Sequence, residues 1–276
     1  MKEETGYFSS VDGTRIFYRA RNKNTDTCLL IVHGIGEHSG RYQDFADRLD
    51  DLPVSVFSFD LRGHGRSEGP RMYVDSFQAF VDDVYAYRKW IEEKFGKRKF
   101  ILLGQSLGGL ISFSAVLKHQ DEWAALILMS PFFAAFKSHG FFGVLAAGLN
   151  CFLPRLVWQN PVQPVYLSRD LEEVRKYRED KVVQRAITAR LACAMFAQCA
   201  FVYNHAQQIQ LPVLILASGD DRIVSLKATQ AVFSRIRSQQ KEIKVFESSY
   251  HELLHEKERQ QAIQLIRDFL MKTGRS

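Results

Sequence analysis

The stretch FILLGQSLGGLISFSAVLK (100–118) constrains the fold more than any other part of the chain. An apolar run, Phe100–Leu103, passes into an apolar helical pattern beginning at Leu107, with only Gly104, Gln105 and Ser106 between them. So sharp a strand-to-helix turn tolerates no side chains at its flanking positions, here Gly104 and Gly108, and it lifts the Ser106 hydroxyl clear of the sheet edge. A strand that feeds directly into a helix belongs in a layered α/β arrangement, and the rest of the chain must supply its parallel neighbours.

Those neighbours are legible. Short apolar runs bounded by turn residues recur at Cys28–Val32, Val54–Phe59, Ala125–Met129, Val213–Ala217 and Ile243–Phe246. Runs apolar on both faces suit the interior strands of a parallel sheet covered on both sides. Helical patterns lie between most of them. In the clearest, Phe77, Phe80, Val81, Val84, Tyr87 and Ile91 share one face, and Asp75 with Gln78 sits in capping-box register at its start. Others are predicted over 41–50, 107–118, 226–237 and 256–272. An Asp12-Gly13 pair between 6–10 and 15–19 predicts a leading hairpin. The whole reads as a doubly wound α/β sheet.

The alternation breaks once. After Met129 about 80 residues carry no strand pattern, too long for a structureless loop inside a compact domain. The segment opens with Phe132, Phe133, Phe136, Phe141, Phe142 and Leu145, passes Pro154, Pro161 and Pro164, and becomes helical over 170–201. It is expected to be a helical cap at 132–210, inserted into a core made of 1–131 and 211–276. Its first part, 132–153, is more apolar than a surface loop bears, so it is either buried against the sheet or faces an apolar ligand and a membrane surface.

Composition narrows the classes. Cys28, Cys151, Cys193 and Cys199 form no C-x-x-C pair, so a zinc ribbon or thioredoxin motif is excluded. Four cysteines in 276 residues make no disulfide framework either, and buried reduced thiols fit best. A net charge of +6 is mild, and the basic run from Arg88 to Lys99 is interrupted by Glu92 and Glu93. It reads as a solvated helix end, not a nucleic-acid surface. The start at Met1–Thr5 lacks the pattern of a secretory signal, and no run reaches the roughly 18 apolar residues of a membrane span. A cytoplasmic protein is expected, with peripheral membrane contact through the cap; oligomeric state is left open.

An exposed serine on such a turn becomes a nucleophile only with a base, and the base needs an orienting acid. In this architecture they follow at later strand ends in the order Ser, Asp, His. The strand at 213–217 is followed by Ser218-Gly219-Asp220-Asp221-Arg222, and that at 243–246 by Glu247-Ser248-Ser249-Tyr250-His251. Of eight histidines, His251 alone occupies the loop expected of the base. Asp220 and Asp221 compete for the acid. Asp220 suits a turn. Acyl transfer also requires donors for the oxyanion. The backbone N–H of Leu107 is one, and that of Ile35, in the loop His33-Gly34-Ile35-Gly36, is expected to be the other. The segment Asp60–Ser67 reads as a structural turn, and His64 lies on the wrong strand to serve as base.

With these pieces placed, the chain resembles the α/β-hydrolase superfamily, and within it the monoacylglycerol lipase and lysophospholipase group. The resemblance rests on HGIGEHSGRY (33–42), DLRGHGRSEG (60–69), GQSLGG (104–109), SP (130–131), YLSRDLEEVRKY (166–177), DDRIV (220–224) and YHELLHE (250–256). It implies an eight-stranded, mostly parallel sheet with a lipid-facing cap, hydrolysing a single-chain acyl ester without metal or cofactor. By resemblance Ser106, Asp221 and His251 form the triad, the N–H groups of Ile35 and Leu107 the oxyanion hole, and Glu37, Arg41, Tyr177 and His255 the glycerol-binding positions. Gln105 stands where this group commonly carries His. The substrate class it favours is monoacylglycerol, with lysophospholipid or a broader ester or peptide substrate as alternatives. A catalytically silent binding module is a different class, and the intact triad and oxyanion glycines weigh against it. An epoxide hydrolase or dehalogenase would carry Asp at position 106, so Ser106 excludes both.

Overall fold

The computed structural model describes residues 3–136, 148, 150, 152–159 and 162–274. Among them, eight strands form one sheet: β1 (Glu4–Ser9), β2 (Arg15–Arg21), β3 (Thr27–Val32), β4 (Val54–Phe59), β5 (Lys99–Gln105), β6 (Ala125–Met129), β9 (Val213–Ser218) and β10 (Lys241–Phe246). Their order is β1-β2-β4-β3-β5-β6-β9-β10. Pairing is antiparallel at β1–β2 and β2–β4 and parallel everywhere else. The chain winds outward from β3 in both directions, which places the end of β5 and its elbow near the middle of one sheet edge.

Residue alternation divides the core into two layers. Phe100 and Leu102 of β5 join the cluster that holds Phe80, Tyr87, Leu110 and Phe113, contributed by α2 (Gln78–Phe95) and α3 (Leu107–Lys118). Ile101 and Leu103 face the other way, into a cluster with Phe45 of α1 (Gln43–Asp47) and Ile263 and Ile266 of the C-terminal helix (Arg259–Gly274). Each such side chain, fully buried, stabilises the fold by roughly 1.5–3 kcal/mol relative to exposure.

Three local expectations are corrected. The segment after β6 does carry strands: β7 (Val157–Gln159) and β8 (Ala186–Thr188) form a short antiparallel pair. At three residues each they are too short for periodicity to register. β10 is an edge strand, not an interior one; Glu242 and Lys244 are exposed along it, which blunts pairing with other chains. The capping box at Asp75 does not form. Phe77 is already helical, the Gln78 N–H is taken by Ser76 Oγ (3.2 Å), and the Asp75 carboxylate instead accepts from the Tyr73 hydroxyl (2.8 Å).

The inserted segment otherwise contains α4 (Leu171–Glu179) and α5 (Ala189–His205). Asp170 and Thr188 cap them through their side chains, to the N–H groups of Glu172 and Leu191. Of the two alternatives for this apolar run, Phe132 and Phe133 take burial: both lie in the core, with Phe133 edge-on to Phe113 and Phe132 against Phe196. Phe136 is 46% exposed, while Phe141, Phe142 and Leu145 lie outside the described residues.

Candidate active site

Ser106 sits between β5 and α3 with φ +52° and ψ −116°, a conformation that an L-residue adopts only when its surroundings enforce it. The enforcement is close packing. A Cβ on Gly108 would lie 2.0 Å from the Val32 carbonyl oxygen, so only glycine lets α3 approach β3 this closely. The Ser106 N–H donates to the Met129 carbonyl (3.0 Å), and its carbonyl accepts from Phe132 (2.9 Å). The turn is thus tied to the next strand on both sides, with the serine at the head of the helix.

The first N–H groups of a helix have no acceptor within it, so that of Leu107 is directed at whatever stands beside Ser106. Gly34 crosses over the serine from the loop after β3; a Cβ there would lie 3.3 Å from Ser106 Cβ and 2.8 Å from Glu37 Oε1. Ile35 follows it and shares with Ser106 and His251 a cavity of about 20 Å³, water-sized, whose cap wall includes Val162 and Leu167.

The loops after β9 and β10 meet at the same place. His251 Nδ1 lies 2.8 Å from Asp221 Oδ2. The other Asp221 oxygen accepts from the N–H groups of Ile223 (2.8 Å) and Val224 (2.9 Å), the turn written as D-R-I-V in the sequence. With Nδ1 donating to the carboxylate, Nε2 is left as a proton acceptor. Burial by itself would lower the His251 pKa; the Asp221 charge and hydrogen bond, then the charges of Glu252 and Glu37, outweigh it and raise it above 6.5. Asp220 points elsewhere, to Arg169 (2.8 Å).

The four expected glycerol-binding positions separate. Glu37 and Tyr177 line the cavity. Arg41 stands behind it, stacked 4.8 Å over the Tyr177 ring, with Nε 3.1 Å from Glu37 and Nη2 2.5 Å from Glu252. His255 is turned to the cap, 3.2 Å from Glu173 of α4. Glu252, to which the sequence resemblance assigns no role, lines the cavity in its place. Its only sequence cue is its place directly after His251. Gln105, the departure before Ser106, donates from Nε2 to the His251 carbonyl (3.2 Å) and so holds that residue's backbone.

Arg62 and the two buried histidines lie under this layer. Arg62 grips the buried Asp83 through Nε (2.7 Å) and Nη2 (2.6 Å). His33 and His64 have ring centroids 5.5 Å apart, and both are fully buried. His33 accepts the Leu61 N–H at Nε2 (2.9 Å) and faces the Gly34 carbonyl through Nδ1 (2.7 Å). His64 Nδ1 faces the Arg62 carbonyl (3.0 Å), while its Nε2 has no hydrogen-bond partner among the described residues.

Residues 23–258 match the family model described as "Serine aminopeptidase, S33". Over 92% of the chain and 85% of the relative, the sequence is 34% identical to the monoglyceride lipase of Mus musculus. The chain belongs to the α/β-hydrolase superfamily, in the monoacylglycerol lipase group. The monoacylglycerol lipase of Mycolicibacterium smegmatis is 28% identical over 91% of both chains. Among solved structures, the monoacylglycerol lipase of Paleococcus ferrophilus superimposes with a TM-score of 0.84 at 28% identity, covering 99% of this chain and 100% of that one. This member of the group is an ester hydrolase with an eight-stranded, mostly parallel sheet and an inserted helical cap. Among the described residues no helix of the hydrolase is long and apolar enough to cross a membrane.

Proposed function

We propose that the enzyme hydrolyses monoacylglycerols through an acyl-enzyme, with Ser106 as nucleophile, His251 as base and Asp221 as the acid that orients it. The observation that carries this reading is the 2.8 Å Asp221–His251 contact together with a strained elbow serine that lines the same cavity as His251. His251 Nε2 takes the Ser106 proton as Oγ attacks the ester carbonyl. The N–H groups of Ile35 and Leu107 receive the oxyanion. His251 then protonates the leaving glycerol and activates the water that releases the fatty acid. The monoglyceride lipases among its relatives support a glycerol ester over a lysophospholipid.

The cap supports access from a lipid surface. Phe152 is 86% exposed, and Leu153, Leu156 and Val157 are exposed beside it in sequence. Such clustering is unusual for a face in water alone. On this reading the chain is divided into the core 1–131 and 211–276 and the cap 132–210.

Fluorophosphonate labelling of the wild type, compared with Ser106→Ala, tests the nucleophile; persistence of the label in the folded variant overturns it. Turnover of monooleoylglycerol against lysophosphatidylcholine tests the substrate. Phe152→Ser with Leu153→Ser is expected to reduce sedimentation with phosphatidylcholine vesicles, and unchanged sedimentation refutes the membrane contact.

A further inference from the structure

Behind the cavity runs a continuous buried chain of charges. The Glu37 carboxylate accepts from the Gly34 N–H (2.5 Å) and the Tyr42 hydroxyl (2.9 Å) through Oε1, and from Arg41 Nε (3.1 Å) through Oε2. Arg41 then reaches Glu252 Oε2 (2.5 Å). All three charged side chains are at most 8% exposed. One end of the chain is the backbone of the oxyanion loop, one residue before Ile35. The other is the residue after His251. These loops lie 211 positions apart at Arg41 and Glu252 and, among the described residues, share no sheet pairing, so side chains join them here.

We infer that Glu252 is a positioning residue which, through Arg41 and Glu37, locks the loop of the base to the loop of the oxyanion donor. The inference rests on the triad proposed above and deepens it. Catalysis by a preorganised site depends on base and oxyanion donors holding one mutual geometry, and a misplacement of about 1 Å costs on the order of 100-fold. Helix α3 fixes Leu107, but Ile35 and His251 stand on loops. Glu37 is then occupied by Gly34, Tyr42 and Arg41, and Arg41 by two carboxylates and the Tyr177 ring, so their first task is to hold the site.

The linked trio Glu37, Arg41 and Glu252 also carries a net negative charge, two carboxylates to one guanidinium. His251 is faced by Asp221 from the loop after β9, Glu37 from the loop after β3, and Glu252 on its own loop, with Arg41 and Tyr177 packed against the two glutamates. Glu252 is one of the charges that hold the imidazolium. Geometry and charge therefore separate experimentally.

The test uses p-nitrophenyl butyrate, which has no glycerol head. Glu252→Gln is expected to lower kcat about tenfold with KM unchanged, and to move the acidic limb of the kcat/KM profile down by about half to one pH unit. Glu252→Asp keeps the charge but is too short to reach Arg41; kcat falls and the limb stays. Should Glu252→Gln fail to fold, as judged by near-ultraviolet circular dichroism, the aspartate variant decides alone: an undiminished kcat overturns the inference. Unchanged kcat in both folded variants, with KM raised only for monooleoylglycerol, also overturns it and makes Glu252 a head-group contact. Hydrolysis surviving in Ser106→Ala overturns the triad and the inference together, whereas the preceding results leave the triad standing.

Discussion

The buried pair His33 and His64 makes the stability of the fold fall on mild acidification. Burial strips both rings of water and pulls their pKa values below the ordinary 6.5, to about 4 for His33 and about 3 for His64. The neighbouring His33 lowers His64 further, and Asp60 opposes the shift in both. In the unfolded chain each ring binds a proton below pH 6.5, while the folded rings stay neutral until pH 4 and pH 3. Between those limits the unfolded state holds more protons, so stability rises with pH and is lost as pH falls through the window. At pH 5 the unfolded rings are 1.5 units below 6.5, which at about 1.4 kcal/mol per unit removes about 2 kcal/mol for each histidine. His251, whose pKa is raised, works the other way. Carboxylates held low, such as Glu173 at about 2 through its hydrogen bond to His255, act only at lower pH. The assay is urea unfolding at pH 7 and pH 5, followed by tryptophan fluorescence, for wild type and His64→Asn. Asparagine keeps a donor for the Arg62 carbonyl and does not titrate in this range. The loss between the two pH values should be about 2 kcal/mol smaller in the variant. Equal losses would refute the reasoning, since His64 would then be protonated at the same pH folded and unfolded.

Other outcomes follow from the same geometry. Asp221→Asn should leave the fold intact and lower kcat on the order of 10⁴-fold, measured with p-nitrophenyl butyrate, because the amide cannot hold the His251 tautomer. Wild-type kcat/KM should fall as pH drops through the His251 pKa, with its half-maximum above pH 6.5, since only the neutral ring accepts the Ser106 proton. Gly108→Ala should destabilise by about 3 kcal/mol in urea unfolding, because its methyl would press on the Val32 carbonyl. Arg62→Met should cost roughly 3–5 kcal/mol at pH 8 by leaving the buried Asp83 charge with only the Ser10 hydroxyl as partner, and less at pH 5, where Asp83, its pKa raised by burial, takes up a proton more readily.

Much of the frame was legible because it is written locally. Strands β4 and β6 and helix α3 match their predicted limits, since each is a continuous apolar run with clear punctuation. The residues brought to one cavity, Ser106 and His251, were also legible, because strand ends fix where loops can meet. The pairings made by long side chains were not. Nothing local shows that Arg41 reaches Glu252 rather than a ligand, or that His255 turns to Glu173, since both depend on segments brought together only by the fold. The pair β7–β8 was missed for a related reason: its strands are stabilised by each other and have no pattern of their own.

The Glu256 carboxylate has a consequence for how such a protein can be recombined. It is fully buried and accepts the backbone N–H groups of Arg169 (3.1 Å), Tyr250 (2.7 Å) and Lys257 (3.2 Å). Nearby, the Glu252 N–H donates to the Leu167 carbonyl (2.8 Å) and Ser168 Oγ to the His255 carbonyl (2.8 Å). The backbone at 167–169 is therefore assembled on the loop that carries His251, although it lies in the inserted segment. A chimera that exchanges the insertion at its chain ends would part Leu167–Arg169 from the 250–256 loop, and the buried Glu256 carboxylate would lose one of its three backbone donors. The exchangeable unit is the insertion together with that loop, and substrate-range engineering on this scaffold has to move both.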